Sequence, residues 1–167
     1  MALNREQLFV ALFTRLQTQL GSTVKSYSRR WVSWDDEPPA MQPALLLLKG
    51  NETSKRGEAA DIRGAPKIWT ISAEIWIYVK DDGTAEAVPS IQINQMIQAI
   101  EAGMEIQAGE QTSPFAQYIA RRDAPPAATT LGGLCISCEI VGEVEIDEGT
   151  QSHTGVIRIP VAIQAAA

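Results

Sequence analysis

Histidine, cysteine and long apolar runs are nearly missing from this chain. Of its 167 residues one is a histidine, His153, and two are cysteines, Cys135 and Cys138. A lone histidine beside a turn cannot build a multi-histidine metal site. Two cysteines make no disulfide framework, and their scarcity fits a chain kept reduced in a cytoplasm. No apolar run reaches the roughly 18 residues that a membrane-spanning helix needs. The N-terminus, Met1-Ala2-Leu3-Asn4-Arg5-Glu6-Gln7, has no basic stretch running into an apolar one, so no signal peptide is expected. Positive charge is short as well. Lys and Arg number 14 against 20 Asp and Glu, for a net charge of −6 and a pI near 4.8. Sequence-independent nucleic-acid binding needs a basic surface, so this balance argues against it. Also missing are a Gly-x-Ser-x-Gly elbow, a Walker loop and a dinucleotide glycine fingerprint, so neither catalysis nor a cofactor is expected.

What is present suits one globular domain over residues 1–167: 45% hydrophobic and 20% charged. The most organised stretch is 66–80, Pro-Lys-Ile-Trp-Thr-Ile-Ser-Ala-Glu-Ile-Trp-Ile-Tyr-Val-Lys. β-Branched and aromatic residues dominate it, as a strand requires. Alternation puts Trp69, Ile71, Ala73, Ile75, Ile77 and Val79 on one face and Ile68, Thr70, Ser72, Glu74, Trp76 and Tyr78 on the other. The first is a core face. The second, polar with aromatics near its end, reads as a contact surface, the other reading being that Trp76 and Tyr78 only cover the sheet under the segment 104–133.

Around it the chain alternates helices and strands. Phe9, Leu12, Phe13, Leu16 and Leu20 form a helical stripe over Arg5–Leu20, with Asn4 as cap, Gln7 in the capping-box position and Gly21 as terminator. Residues 24–34 are read as a strand stopped by Asp35-Asp36-Glu37-Pro38-Pro39, and the apolar run 44–49 as a buried strand. Residues 51–65 are polar and without period. They are read as a long loop closing an open hairpin with the strand at 66–80. A second helix is expected over 90–103, with Ile93, Met96, Ile97, Ile100 and Met104 on its buried side. Ser113-Pro114 can start a short helix with Phe115 and Ile119 packing down, and Pro125-Pro126 forces an extended path. Two more strands follow at 134–146 and 154–164, joined by a turn at Asp147-Glu148-Gly149-Thr150. Pro160 implies that the last strand lies at an edge or is bulged. The fold class is α+β: a single, mainly antiparallel sheet of about five strands, with two helices on one face and long loops.

Cys135-Ile136-Ser137-Cys138 spells Cys-x-x-Cys, but a redox pair wants a helix N-terminus and a zinc site wants two further ligands. In a strand, residues three apart point to opposite faces, so one cysteine is expected in and one out. The acidic pairs at 35–37, 81–82 and 147–148 border turns. They are read as solvated turn residues, a divalent-ion site being the other reading.

Four features taken together carry a resemblance. They are the amphipathic first helix leading to a strand that ends in acid and proline; the Gln42-Pro43-Ala44-Leu45-Leu46-Leu47 run; the helix with Ile93-Asn94 and Ile97-Gln98-Ala99-Ile100-Glu101 after a Trp/Ile/Tyr strand; and Leu131-Gly132-Gly133-Leu134 with Ile140-Val141-Gly142-Glu143-Val144-Glu145-Ile146-Asp147-Glu148-Gly149 and the Ile-Pro-Val-Ala-Ile ending at 159–163. In this order the chain resembles the tail terminators of tailed phages, the lambda-like minor tail protein group; the segment 104–130 departs from that pattern. The resemblance implies a virion subunit, assembled in the host cytoplasm, that closes a ring of copies of itself, a hexamer. The ring would cap the tail tube, end its polymerisation and offer a surface to the head–neck completion protein. DNA would pass through its channel without specific binding, and no membrane or cofactor is involved. A ring needs two different contact surfaces per subunit. The candidates are Glu74, Trp76 and Tyr78 on the outer strand face, and Lys55, Arg56 and Arg63 in the 51–65 stretch. Two other readings are open: a neck protein that joins head to tail, and a small-molecule-binding or enzymatic α+β domain with polar groups converging in a pocket.

Overall fold

The computed structural model describes residues 3–56, 67–80, 90–111, 128–147 and 154–166, with the side chains of Arg56 and Ser90 excepted. Helix α1 spans Arg5–Leu20. The Asn4 side chain accepts a hydrogen bond from the Gln7 backbone N–H at 3.1 Å, so one of the free amides of the first turn is satisfied. Gly21 ends the helix at a φ of +50°, where a side chain is disfavoured. Strand β1 spans Ser26–Ser28, β2 Ala44–Arg56, β3 Lys67–Lys80, helix α2 Ser90–Met104, β4 Ser137–Ile140, β5 Glu145–Asp147 and β6 Thr154–Ala166. The sheet runs β1-β2-β3-β6-β4, with β5 also on β6. Every pairing is antiparallel except β1 with β2. The architecture is α+β, as expected, with six strands instead of about five.

Both helices lie over one face. Leu8, Phe9, Leu12, Leu16 and Leu20 of α1 and Ile93, Met96, Ile100 and Met104 of α2 share one core. The sheet's contribution to it is Leu45 and Leu47, then Ile71, Ala73, Ile75, Ile77 and Val79, then the alternate residues of β6 from Ile157 to Ala165. The core face expected for the 66–80 stretch is therefore the core face found. Ile75, fully buried at the centre, is the kind of residue whose truncation to Ala costs about 2–5 kcal/mol.

Five local expectations are corrected. The strand expected over 24–34 pairs only at Ser26–Ser28. The Ser28 hydroxyl accepts the Arg30 N–H at 3.0 Å, offering the backbone a local turn in place of a ladder. The second strand does not end at residue 49. It continues to Arg56, so residues 51–56 of the expected loop are strand, and 57–65 lie outside the described residues. The hairpin itself is there, since β2 pairs antiparallel with β3. The register slips by one residue between Lys49 and Glu52, a β-bulge. Without it, residues three apart would face opposite ways; with it, Lys49 and Glu52 form an ion pair at 2.6 Å. Gly50 sits at this point because a Cβ there would come within 3.1 Å of the Ser72 Cβ.

The strand expected over 134–146 is two strands. Gly142, at a φ of +76°, breaks it. Pro160 explains where. The Val141 N–H donates to the Pro160 carbonyl at 3.0 Å, so the edge of Pro160 that lacks an N–H faces the gap between β4 and β5. The last strand is thus interior, not an edge, and the irregularity is in its neighbour. Finally, Cys135 and Cys138 are both buried, not one in and one out, because Cys135 precedes the strand. Burial pushes both thiols up, Cys135 to about 12, so neither is a reactive thiolate near neutral pH. His153, Ser113, Pro114, Phe115, Ile119, the prolines at 125 and 126, and residues 81, 82 and 148–150 fall outside the described residues.

One carboxylate ties the helices to the β4 approach. Glu110, its side chain 4% exposed, pairs with Arg15 of α1 at 3.1 Å. It accepts hydrogen bonds from the Thr129 hydroxyl at 2.6 Å and the Thr130 N–H at 2.7 Å. Arg15 also donates to the carbonyls of Gly103 and Glu105 at the end of α2. Burial pushes the Glu110 carboxyl up, but hydrogen bonds from Thr129, Gln107, Gly132 and Thr130 outweigh it and bring its pKa from 4.5 to about 2. A depressed carboxylate stabilises the fold in full above its ordinary value and loses that contribution as pH falls through the folded value. Discounted for solvent screening, the contribution is on the order of 1–3 kcal/mol. Glu110→Gln should lower the unfolding free energy by that amount at pH 7, with the gap narrowing toward pH 3 in urea titrations. A gap that stays constant over that range contradicts the ionic role.

Candidate interface on the outer face of the sheet

β3 is hydrogen-bonded to β2 on one edge and β6 on the other. Glu74, Trp76 and Tyr78 therefore act only through the outer face, beside their partners on β6: Pro160, Arg158 and Val156. Arg158 is the one charged residue in β6. It reaches Glu74 at 2.5 Å and Glu145 of β5 at 2.9 Å. The Trp76 indole N–H donates to the other Glu74 oxygen at 2.9 Å. The Arg158 guanidinium stands 5.7 Å from the Trp76 ring centre. Hydrogen bonding from Arg158, joined by Trp76, holds the Glu74 carboxyl below its ordinary value, and the bonds to Glu74 and Glu145 raise the Arg158 pKa.

This face is not bare. After β1 the chain crosses from the helix side to the outer side. Arg29 is anchored on Glu6 of α1 at 2.5 Å and stacks 5.7 Å from Phe9. Val32 then packs on a small second core of Ala44, Leu46 and Tyr78. Trp31 meets Trp76 edge to face at 5.0 Å. The Tyr78 hydroxyl donates to the Val32 carbonyl at 2.9 Å, and Tyr78 is 1% exposed. Tyr78 is thus a covered residue that seats the 29–41 segment, and the expectation that it is available surface is corrected. Trp76 is half-buried. The surface passes instead to Trp31, 55% exposed, and Trp34, 39% exposed. With Trp76, Val156, Arg158 and β5, Trp34 lines a cleft of about 330 Å³.

Lys55 is exposed on the same face, opposite Ile68. Ile68 lies eight residues from Trp76 along β3, about 27 Å at roughly 3.4 Å per residue. Lys55 and the Glu74–Trp76 group therefore occupy opposite ends of one face. Between them Thr70 and Ser72 of β3, Thr53 of β2 and Gln164 of β6 share the face, small and polar. Arg56 closes β2, while Arg63 lies outside the described residues. Sequence reasoning missed Trp31, Trp34, Arg158 and Glu145. A lone charge inside an apolar strand was the available signal for Arg158, since such a group needs a partner. Among the described residues no group of three His, Cys, Asp or Glu could hold a metal ion, and no helix is long and apolar enough to cross a membrane.

No family model and no curated protein matches the chain. Among solved structures it is similar to a chain of "Virion of native gene transfer agent (GTA) particle", at 10% identity and a TM-score of 0.48, over 96% of this chain and 95% of that one. A likeness of that size assigns no role.

Arg158→Met should lower stability at neutral pH by leaving Glu74 and Glu145 without their cation. Part of the loss should return on acidification into the carboxylate range, where Glu74, no longer held ionised by Arg158, can protonate. Melting curves at pH 7 and pH 5 check this; an identical deficit at both contradicts it.

Proposed function

We propose that this chain is a structural virion protein of a tailed-phage type, whose copies close a ring that caps the tail tube. The ring ends tube polymerisation and offers its other side to the head–neck completion protein, with DNA passing through the channel unbound. The observation that carries the reading is the outer sheet face. At one end of it the exposed Trp34 and the half-buried Trp76 line a cleft, with the exposed Trp31 edge to face on Trp76, on a frame fixed by Arg158, while the far end is polar and bears Lys55. Two unlike patches on one subunit are what a heterologous, ring-closing contact requires. Large aromatic side chains are the usual anchors of such contacts. The order of sequence features from the first helix to the Ile-Pro-Val-Ala-Ile ending supports a tail terminator within that class.

Light scattering of the purified chain, alone and with tail tubes, is expected to find a closed oligomer. Trp34→Ala and Trp76→Ala should weaken it, Trp34→Ala without loss of fold because that ring is already part-exposed. A strict monomer whose variants still cap tubes contradicts the interface. Particles assembled without the chain should carry overlong tails in electron micrographs. Tails of normal length left unattached to heads would make the chain a head–tail joiner instead.

A further inference from the structure

The segment 29–41 crosses the outer face without joining the sheet. Among the described residues it pairs with no strand, and its one regular piece is a single 3-10 turn at Pro39–Met41. Of its thirteen residues ten are exposed and none is buried, so it is seated at a few points only. Val32 packs on Ala44, Leu46 and Tyr78, a cluster separate from the core under the helices. Trp31 stands edge-on to Trp76, and the Tyr78 hydroxyl donates to the Val32 carbonyl at 2.9 Å. At one end Arg29 pairs with Glu6, whose side chain is 70% exposed. An ion pair so exposed adds little. At the other end the Ser26 hydroxyl donates to Glu37 at 2.6 Å. The chain on either side is held far more firmly, by Val24 before it and Leu45 and Leu47 after it, all in the main core. A segment with few buried apolar contacts between two such anchors opens before the rest of the fold.

We propose that residues 29–41 form a strap that opens and closes as a unit while the helices and sheet stay folded, latched by the Tyr78 hydroxyl on the Val32 carbonyl. Closed, it hides Ala44, Leu46 and Tyr78, each 1% exposed, and fixes the position of Trp31 and Trp34. Open, it bares that apolar patch. One consequence rests on the ring reading: the closed form is the one that assembles, because both tryptophans ride on the strap. A neighbour bound to them then holds the strap shut by mass action.

Thiol labelling of the full-length chain tests it. Ala44→Cys puts a thiol in the cluster on which Val32 packs, while the native Cys135 and Cys138, buried in the main core, report opening of the rest of the same molecule. In the dilute chain the new thiol should react about tenfold faster than the native pair, or more. Equal rates mean that the strap leaves only when the whole fold does, and overturn the proposal. Adding Tyr78→Phe should speed the new thiol by about three- to tenfold, the worth of one hydrogen bond. No change there overturns the latch. As a check that needs no cysteine, the amides of Asp36, Glu37 and Met41, hydrogen-bonded within the strap, are followed by hydrogen exchange in the unmodified chain. They should share one opening free energy well below that of β3. Three separate values, or values equal to that of β3, overturn the unit. On assembly, labelling of the new thiol should slow as chain concentration rises. Labelling that fails to slow while the chain assembles overturns the closed form as the assembling one. A chain that is monomeric at every concentration overturns the ring reading, and the labelling of that monomer still decides the strap.

Discussion

A strand hydrogen-bonded along both edges can influence its surroundings only through its two faces, and β3 is such a strand for most of its length. The rest of the fold depends on that constraint. The inner face, β-branched from Ile71 to Val79, demands an apolar cover, and the stripes of α1 and α2 supply it. The outer face cannot slip into the core without a one-residue change of register, which would turn every side chain over. Whatever Glu74 and Trp76 do, they do from a fixed platform.

Polar contacts then settle what apolar packing leaves undetermined. Glu110 and Arg15 join the end of α2 to α1 and to the turn before β4, three elements that the sheet alone does not hold together. The Lys49–Glu52 pair at the bulge, with Arg5 on Glu52 at 2.6 Å, fastens the start of α1 to β2. β2 extends beyond the three-residue β1, so it presents an edge, and a bulge with a lysine is a common means of blunting one. On the other side of the sheet, Arg158 links β3, β5 and β6 through two carboxylates, and Trp76 stands over that link. These ties give the outer face its rigidity, and rigidity is what lets a small aromatic surface bind without losing much freedom.

Much of this was legible in the sequence. The bounds of α1, the two faces of β3 and the hairpin with β2 followed from periodicities of 3.6 and 2 that burial on one face enforces. What failed had no local signature. Residues 51–56 are polar on both faces, so the strand there leaves no alternation to read. The break between β4 and β5 is set by Pro160 on another strand, and by Gly142 within a stretch that otherwise looks continuous. The cover over Tyr78 comes from Val32, 46 positions away, and no local pattern foretells it. That contact changed the candidate site most. It removed Tyr78 from the surface and put Trp31 and Trp34 there, two residues that read as ordinary members of a strand.

The account comes down to whether the tryptophan end of the outer face is solvent-facing or shared. Hydroxyl-radical footprinting of the chain before and after assembly reads this directly, because Trp31 and Trp34 are exposed in the isolated subunit. The account predicts that both oxidise readily in the monomer and are protected in the assembled form. Equal oxidation in the two states would contradict it.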